Sequence, residues 1–180
     1  MSAYVLKVVI AGEGSVGKTS LLMRFTKGIF IENTKMTIGV DFSAVKIRAS
    51  TSLGEKVITL QIWDFGGEER FRFILPGYVV GASGAILCFD LTKPSTLESL
   101  PEWIELIRSK VPDIPIILVG TKSDLVEYRK VDHDVAEQKV KEWGLSGYIE
   151  VSSKSGDNIG YVFGLLSQEM LMKIEKNKPV

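Results

Sequence analysis

Residues 12–19 read Gly-Glu-Gly-Ser-Val-Gly-Lys-Thr, between an almost entirely apolar run at 5–10 and a helix-forming run at 21–25. Glycines in this pattern let backbone N–H groups close around phosphate oxygens, and the lysine adds a positive charge. The threonine hydroxyl is a ligand for Mg²⁺. A strand, such a loop and a helix in this order are typical of a P-loop, so the stretch predicts a nucleotide site rather than an ordinary glycine-rich turn.

The rest of the chain alternates short apolar runs with amphipathic ones. Runs at 85–89 and 116–119 are similar to the run at 5–10 and are typical of strands buried on both faces of a parallel sheet. Apolar residues recur at helical spacing over 97–107 and over 159–174. The alternation predicts a doubly wound fold with its ligands at the carboxyl ends of the strands.

Two further runs, at 40–48 and 56–63, predict an antiparallel strand pair at one edge of the sheet, because they flank a short polar segment at 50–55. We therefore expect a single α/β domain over residues 1–180. It has a six-stranded, mostly parallel sheet with one antiparallel edge strand and with helices on both faces. The lysine-rich end, roughly 174–180, is expected to be a frayed tail.

Charge and cysteine content exclude several classes of function. Lys plus Arg and Asp plus Glu number 22 each, so no net field attracts nucleic acid or an acidic membrane. The single cysteine, Cys88, lies in an apolar run, where a buried thiol in a reducing, cytoplasmic setting is expected. Glycines and a proline interrupt the most apolar window, 74–89, which is too short for a membrane span of about 20 residues. The N-terminus does not resemble a signal peptide.

Three motifs at predicted strand ends narrow the ligand to a guanine nucleotide. Residues 63–67, Trp-Asp-Phe-Gly-Gly, combine a carboxylate for a Mg²⁺ site with a glycine N–H for a γ-phosphate oxygen. Residues 121–124, Thr-Lys-Ser-Asp, offer a carboxylate to N1–H and N2–H of guanine, a donor pair that adenine lacks. Residues 150–154, Glu-Val-Ser-Ser-Lys, offer backbone N–H groups to guanine O6. The combination favours a GTPase over the kinases and ATPases that also contain P-loops.

With these motifs the chain resembles the Ras superfamily of small GTPases, and within it the Rab branch most closely. The branch assignment rests on residues 38–42, Ile-Gly-Val-Asp-Phe, on residues 60–64, Leu-Gln-Ile-Trp-Asp, and on residues 69–72, Glu-Arg-Phe-Arg. The resemblance covers essentially the whole chain and implies the small G-domain fold. It also implies a switch in vesicle trafficking or related signalling that binds GTP or GDP with Mg²⁺ and hydrolyses GTP.

The resemblance carries site residues over by motif position. Mg²⁺ is expected on Thr19, Thr37 and Asp64, and catalysis is expected from Lys18, Gly67 and Glu68, with Glu68 handling the attacking water. Phe30 is expected to pack against the guanine, although anchoring its own loop is an open alternative. The residues expected to contact the nucleotide are Gly14, Ser15, Val16, Gly17, Lys18, Thr19, Ser20, Phe30, Thr37, Gly67, Thr121, Lys122, Asp124, Ser152, Ser153 and Lys154.

Glu68 is the main departure from the family pattern. Most Rab-like proteins have a glutamine here, which both accepts from the water and donates to developing charge, whereas an ionised glutamate only accepts. At about 4 Å a carboxylate also repels the γ-phosphate by about 1 kcal/mol in water. A raised pKa would instead make Glu68 a better base or a donor. We therefore expect measurable but altered hydrolysis.

Three smaller departures concern residues close to Glu68 or to the base. Phe65 is bulky and Gly66 flexible where relatives have small polar and apolar residues, so this segment is expected to order differently. Thr121 stands where many relatives have asparagine, but Asp124 keeps the guanine-reading chemistry. Gly14 leaves room for an arginine from a partner protein.

Partner surfaces are expected at residues 37–45 and 64–78, where effector, exchange and activating proteins would bind. Phe42, Trp63 and Tyr78 resemble the aromatic triad that Rab proteins present to effectors, although core packing is an equal alternative. A monomer without a nucleic-acid partner is expected. Rab proteins usually end in prenylated cysteines, whereas this sequence ends without one, so either a tail is missing or the protein lacks a lipid anchor.

Two alternatives to a hydrolysing switch remain. The first is an interaction module that binds GTP but barely hydrolyses it, which Glu68 favours. The second is a P-loop phosphotransferase with a small acceptor, which would need an acceptor pocket or a lid insertion that the sequence does not visibly contain. A preference for ATP would also conflict with Asp124.

Overall fold

The computed structural model describes residues 4–51 and 54–177. Six strands form one sheet: β1 (Tyr4–Ala11), β2 (Val40–Thr51), β3 (Gly54–Phe65), β4 (Gly84–Asp90), β5 (Ile116–Thr121) and β6 (Gly147–Glu150). Seven α-helices connect or flank them: α1 (Lys18–Lys27), α2 (Glu69–Arg72), α3 (Leu75–Val79), α4 (Pro94–Glu98), α5 (Leu100–Arg108), α6 (His133–Trp143) and α7 (Ile159–Lys176). A 3-10 turn covers Val126–Tyr128.

The sheet has the order β2-β3-β1-β4-β5-β6. Every neighbouring pair is parallel except β2 and β3, which are antiparallel with Phe42 opposite Trp63. This confirms the predicted mostly parallel, six-stranded sheet with an antiparallel strand at one edge. The predicted α/β class is therefore correct.

Each face of the sheet packs against helices, as expected. On one face Leu6, Val8 and Ile10 of β1 share a core with α1 and α7. On the other face Val9 and Ala11 share a core with α3, α5 and α6. The central strand β4 is buried at every position, Cys88 included, because it is covered on both sides.

The structure differs from the predicted element bounds in two places. The strands of the antiparallel pair extend further than expected, to Thr51 and from Gly54, so most of the predicted turn at 50–55 is strand, and residues 52 and 53 lie outside the described residues. The predicted helix over 97–107 is two helices, α4 and α5. Pro101 is the cause, because it has no N–H to continue the hydrogen-bond ladder.

The C-terminal helix and the strand ends complete the frame. α7 continues through Lys176, within the tail expected at roughly 174–180, and residues 178–180 lie outside the described residues. None of the described helices combines the length and the apolar character that crossing a membrane requires.

The carboxyl ends of the parallel strands β1, β3, β4, β5 and β6 lie at one edge of the sheet, where loops 12–17, 66–68, 122–125 and 151–158 meet.

Candidate nucleotide-binding site

A cavity of about 490 Å³ opens at this edge of the sheet. Of the residues predicted to contact a nucleotide, those at its wall are Gly14, Ser15, Gly17, Lys18, Thr19, Ser20, Phe30, Thr37, Gly67, Thr121, Lys122, Asp124, Ser153 and Lys154. Val16 and Ser152 are buried and are not among the lining residues. Further lining residues that sequence reasoning missed are Glu32, Asn33, Thr34, Lys35, Met36, Phe65 and Leu125.

The P-loop leaves β1 through a turn that only glycine fits. Gly12 has a φ of +140°, and a Cβ there would lie 2.3 Å from the carbonyl oxygen of Cys88 on β4. α1 then begins at Lys18, whose side chain is buried. Its Nζ donates hydrogen bonds to the carbonyl oxygens of Gly12, at 2.9 Å, and Glu13, at 2.6 Å. The ammonium is thus held at the N-terminus of a helix, a position suited to an anion.

Thr19, Thr37 and Asp64 meet at one point beside the P-loop. The Thr19 hydroxyl lies 2.7 Å from the Thr37 hydroxyl and donates to Asp64 Oδ2 at 2.6 Å. Asp64 is fully buried, and burial raises the pKa of its carboxyl to about 6. Its other oxygen, Oδ1, is buried without a hydrogen-bond partner among the described residues. Two hydroxyls and a carboxylate with a spare oxygen form a donor set that fits a hard cation such as Mg²⁺ or a water bound to it.

Gly67 brings the segment after β3 into contact with the P-loop. A Cβ at Gly67 would lie 2.1 Å from the backbone nitrogen of Gly14 and 2.2 Å from the carbonyl carbon of Glu13, so a side chain is excluded. The next residue, Glu68, forms an ion pair with Arg70 and is not among the lining residues. The residue expected to handle water is therefore engaged by a neighbouring cation in this structure.

Thr121 and Lys122 tie the end of β5 to the P-loop. The Thr121 hydroxyl donates to the carbonyl oxygens of Val16 and, at 3.0 Å, Phe89. Lys122 has a φ of +64°, and its Nζ donates to Ser15 O at 3.1 Å and to Asp90 Oδ2 at 2.6 Å. The hydroxyl at position 121 therefore links β5 to both the P-loop and β4.

Asp124 lines the cavity, and a hydrogen bond from the loop after β6 orients its carboxylate. Ser152, fully buried in the loop after β6, donates a hydrogen bond from Oγ to Asp124 Oδ1 at 2.7 Å. An ionised carboxylate has about four acceptor sites, so Asp124 retains capacity for two further donors. Phe30 is half-buried and lines the same cavity.

Comparison with known proteins decides the family. The model of the Ras family matches residues 7–172. The rat Ras-related protein Rab-19 is 38% identical over 94% of this chain and 77% of its own length. The Arabidopsis Ras-related protein RABA4b is 38% identical over 96% of this chain and 75% of its own. Rab-11C of Dictyostelium discoideum is 37% identical over 98% of this chain and 77% of its own.

The chain belongs to the Ras superfamily of small GTPases, in the Rab branch. Members of this family bind GTP and GDP, hydrolyse GTP and act through regulator and effector proteins, so the chain is a GTP hydrolase. The predicted family is thereby confirmed.

One polar network of this GTPase was not predicted from the sequence. Arg129 donates to both carboxylate oxygens of Glu150, at 2.8 and 2.5 Å, and the Tyr148 hydroxyl donates to Oε1 at 2.8 Å. Burial raises the pKa of the Glu150 carboxyl, but these bonds and one to His133 outweigh it and bring the pKa to about 2. Asn158 Nδ2 donates to the Glu150 carbonyl at 2.8 Å. The network fixes the start of the loop that carries Ser152.

Trp63 on β3 contacts Phe42 on β2 and Tyr78 on α3 in this GTPase. The Phe42 and Trp63 ring centroids are 4.9 Å apart, and those of Trp63 and Tyr78 are 5.5 Å apart. Phe42 is 47% exposed and Tyr78 is 39% exposed. Phe42 and Tyr78 therefore face solvent, whereas Trp63 between them is half-buried and packs against the core.

Proposed function

We propose that this GTPase is a Mg²⁺-dependent guanine-nucleotide switch in vesicle or membrane trafficking or related signalling. The observation that carries the proposal is the contact of Thr37 with Thr19. Thr37 lies on the irregular segment between α1 and β2, outside any helix or strand, and its hydroxyl reaches the P-loop threonine at 2.7 Å. A segment outside regular structure that is held at such a point can be ordered or released by what binds there.

Mg²⁺ would be held by Thr19 and Thr37, with Asp64 accepting from a bound water through its spare Oδ1. When bound, the ion neutralises charge on the β- and γ-phosphates. The oxygen donors lie close together already, and no cationic side chain is among their hydrogen-bond partners in the described residues. Loss of the γ-phosphate would remove interactions that keep Thr37 beside Thr19.

The chain's own groups would carry the transfer of phosphoryl to water. The Lys18 ammonium binds phosphate oxygens at the N-terminus of α1. Gly67, packed on the P-loop, offers its backbone N–H to the γ-phosphate. Glu68 would leave Arg70 to orient the water.

Guanine would be selected by Asp124, held by Ser152 so that its carboxylate faces N1–H and N2–H of the base. Phe30 would pack on the base, and Ser153 and Lys154, which also line the cavity, would complete its far wall. Adenine cannot supply the paired donors, so beside adenine the Asp124 carboxylate would lose its water without gaining either hydrogen bond. The nucleotide is therefore a guanine nucleotide.

Effector, exchange and activating proteins would bind at residues 37–45 and 64–78, including Phe42, Trp63 and Tyr78. Both ranges border the Thr37 and Gly67 contacts with the P-loop, so their exposed surface depends on the nucleotide. We infer a monomeric, cytoplasmic domain. Membrane association would then come from a tail beyond this sequence or from a partner.

A second candidate is a GTP-binding interaction module with little intrinsic hydrolysis. The ion pair of Glu68 with Arg70 favours it, because a carboxylate that is bound to a neighbouring cation and does not line the cavity is not placed to orient water. An activating protein that binds Arg70 would then release Glu68.

Single-turnover conversion of bound GTP to GDP, followed by chromatography with Mg²⁺ and again with EDTA, tests the proposal. A hydrolysing switch converts GTP over minutes to hours with Mg²⁺, and converts it far more slowly with EDTA. Stable GTP under both conditions would support the interaction module instead. Binding of ATP as tight as that of GTP would overturn the assignment to guanine nucleotides.

A further inference from the structure

Arg72 of α2 contacts three residues on two other elements, the P-loop and α5. Its guanidinium forms an ion pair with Glu13 of the P-loop through Nη2 and another with Glu102 of α5 through Nη1. Its Cζ lies 5.1 Å from the centroid of the ring of Trp103, a side chain that is completely buried in α5. The planar fork and the flat face of a guanidinium suit these simultaneous contacts, which a lysine could not make.

The contact with Glu13 is the sheltered one. The Arg72 side chain is 18% exposed, and that of Glu13 is 29% exposed, whereas that of Glu102 is 66% exposed. Water and salt screen the outer pair, so the inner pair holds the guanidinium more firmly. Arg72 Nε is buried without a hydrogen-bond partner among the described residues, so the two carboxylates and the ring determine where the side chain sits.

Glu13 is also the point where two other groups of the candidate site converge. Its carbonyl oxygen accepts from Lys18 Nζ at 2.6 Å, and the backbone of Gly67 packs directly against its carbonyl carbon. Gly67 and Arg72, at the two ends of segment 67–72, thus both contact Glu13. Arg72 itself is not among the residues that line the cavity.

We propose that Arg72 is a positioning residue for GTP hydrolysis: it clamps segment 67–72 onto Glu13 of the P-loop and couples the position of this segment to α5 through Trp103. This proposal rests on the proposed function, because the clamped segment carries Gly67 and Glu68. The coupling to α5 can be measured at Trp103, separately from the reaction at the phosphate.

Trp103 supplies that readout, because a cation over an indole ring alters its fluorescence when the cation moves. The chain has three tryptophans, so the test uses a background in which Trp63 and Trp143 are replaced by phenylalanine. Exchanging GDP for a non-hydrolysable GTP analogue is expected to change Trp103 emission in this background. Arg72→Met is expected to abolish the change while keeping the apolar volume over the ring.

A double-mutant cycle tests the clamp on hydrolysis. Arg72→Met and Glu13→Gln are each expected to slow single-turnover hydrolysis by about tenfold, and the double variant to be no slower than either, since one contact is lost in each case. Arg72→Lys keeps the charge and is expected to recover part of the rate. Glu102→Gln is the matched control, because it removes only the exposed pair, and it should leave hydrolysis within about twofold of native.

The outcomes separate this proposal from the proposed function. If native protein binds and hydrolyses GTP but Arg72→Met matches it in rate and in Trp103 response, Arg72 is not a positioning residue. Additive losses in the cycle would also overturn the clamp. If native protein does not hydrolyse GTP, that part of the proposed function fails. The effect of Arg72→Met on the Trp103 response to the analogue then still shows whether Arg72 couples segment 67–72 to α5. Thermal unfolding of each variant, together with Arg72→Lys, identifies any loss that is due to misfolding.

Discussion

Ser152 Oγ lies 2.7 Å from Asp124 Oδ1 and donates a hydrogen bond to it. Ser152 Oγ also accepts a hydrogen bond from the backbone N–H of Ser155 at 3.1 Å. The hydroxyl therefore connects the loop after β6 to the carboxylate that is expected to read guanine. Ser152 is fully buried, whereas the Asp124 side chain that it holds is exposed towards the cavity.

Ser152→Ala is expected to weaken GDP binding by at least about tenfold, since a hydrogen bond to a charged group is worth about 1.5–3 kcal/mol. Calorimetric titration of the nucleotide-free protein with GDP measures the change. Ser155→Ala is the control, because it keeps the backbone N–H that Ser152 uses and should bind GDP as native protein does. Equal affinity of the Ser152 variant would mean that Asp124 is oriented without this bond.

Glu68→Gln is expected to speed single-turnover GTP hydrolysis by about fivefold, which corresponds to relief of about 1 kcal/mol of repulsion from the γ-phosphate. A glutamine also supplies the donor that an ionised glutamate lacks. Rapid-quench assays with Mg²⁺ measure the rate. A slower Glu68→Gln variant would contradict this expectation and would indicate that the carboxylate acts as a base.

Arg70→Ala is the partner test for the same site. Because Glu68 has to leave Arg70 to orient the water, removal of Arg70 frees the carboxylate, and hydrolysis is expected to be faster than in native protein. In the Glu68→Gln background the same change is expected to have no effect. A loss in both backgrounds would show that Arg70 acts on some other group.

Local patterns made the fold and most of the cavity wall predictable. The P-loop has a fixed spacing, and strands such as β4 are apolar at nearly every position because both faces are covered. Contacts between distant residues left no such pattern: Ser152 and Asp124 are 28 positions apart, and Arg129 and Glu150 are 21 apart. Residues 32–36 are irregular, so no periodicity predicted that they line the cavity. Apolar periodicity continues past the break at Ser99 and so does not reveal it, although the missing N–H of Pro101 interrupts the helix.

Gly12→Ala is expected to destabilise the protein by more than about 3 kcal/mol, because its Cβ would collide with the backbone of β4 and not with a movable side chain. Gly28→Ala is the matched control. Gly28 also has a positive φ, +67°, but a Cβ there meets nothing within 4 Å, so only the backbone strain of about 1 kcal/mol remains. Urea unfolding compares the two. Similar losses would mean that β4 yields to the added methyl group.

Glu150 is expected to make stability depend on pH in the acid range. Burial raises the pKa of its carboxyl, but hydrogen bonds from Arg129, Tyr148 and His133 outweigh burial and lower it from 4.5 to about 2. Because the folded-state pKa is depressed, the stabilisation is complete above pH 4.5 and is lost as pH falls towards 2.

Glu150→Gln tests this pH dependence. At pH 7 the variant is expected to be less stable than native protein by about 1–2 kcal/mol, a figure reduced for solvent screening of a partly exposed group. The difference should shrink steadily between pH 4.5 and 2. Urea unfolding at a fixed GDP concentration measures it, with Glu142→Gln, which removes an exposed pair with Lys139, as a control that shows little change at any pH. A difference independent of pH would mean that the Glu150 side chain stabilises through packing and not through its charge.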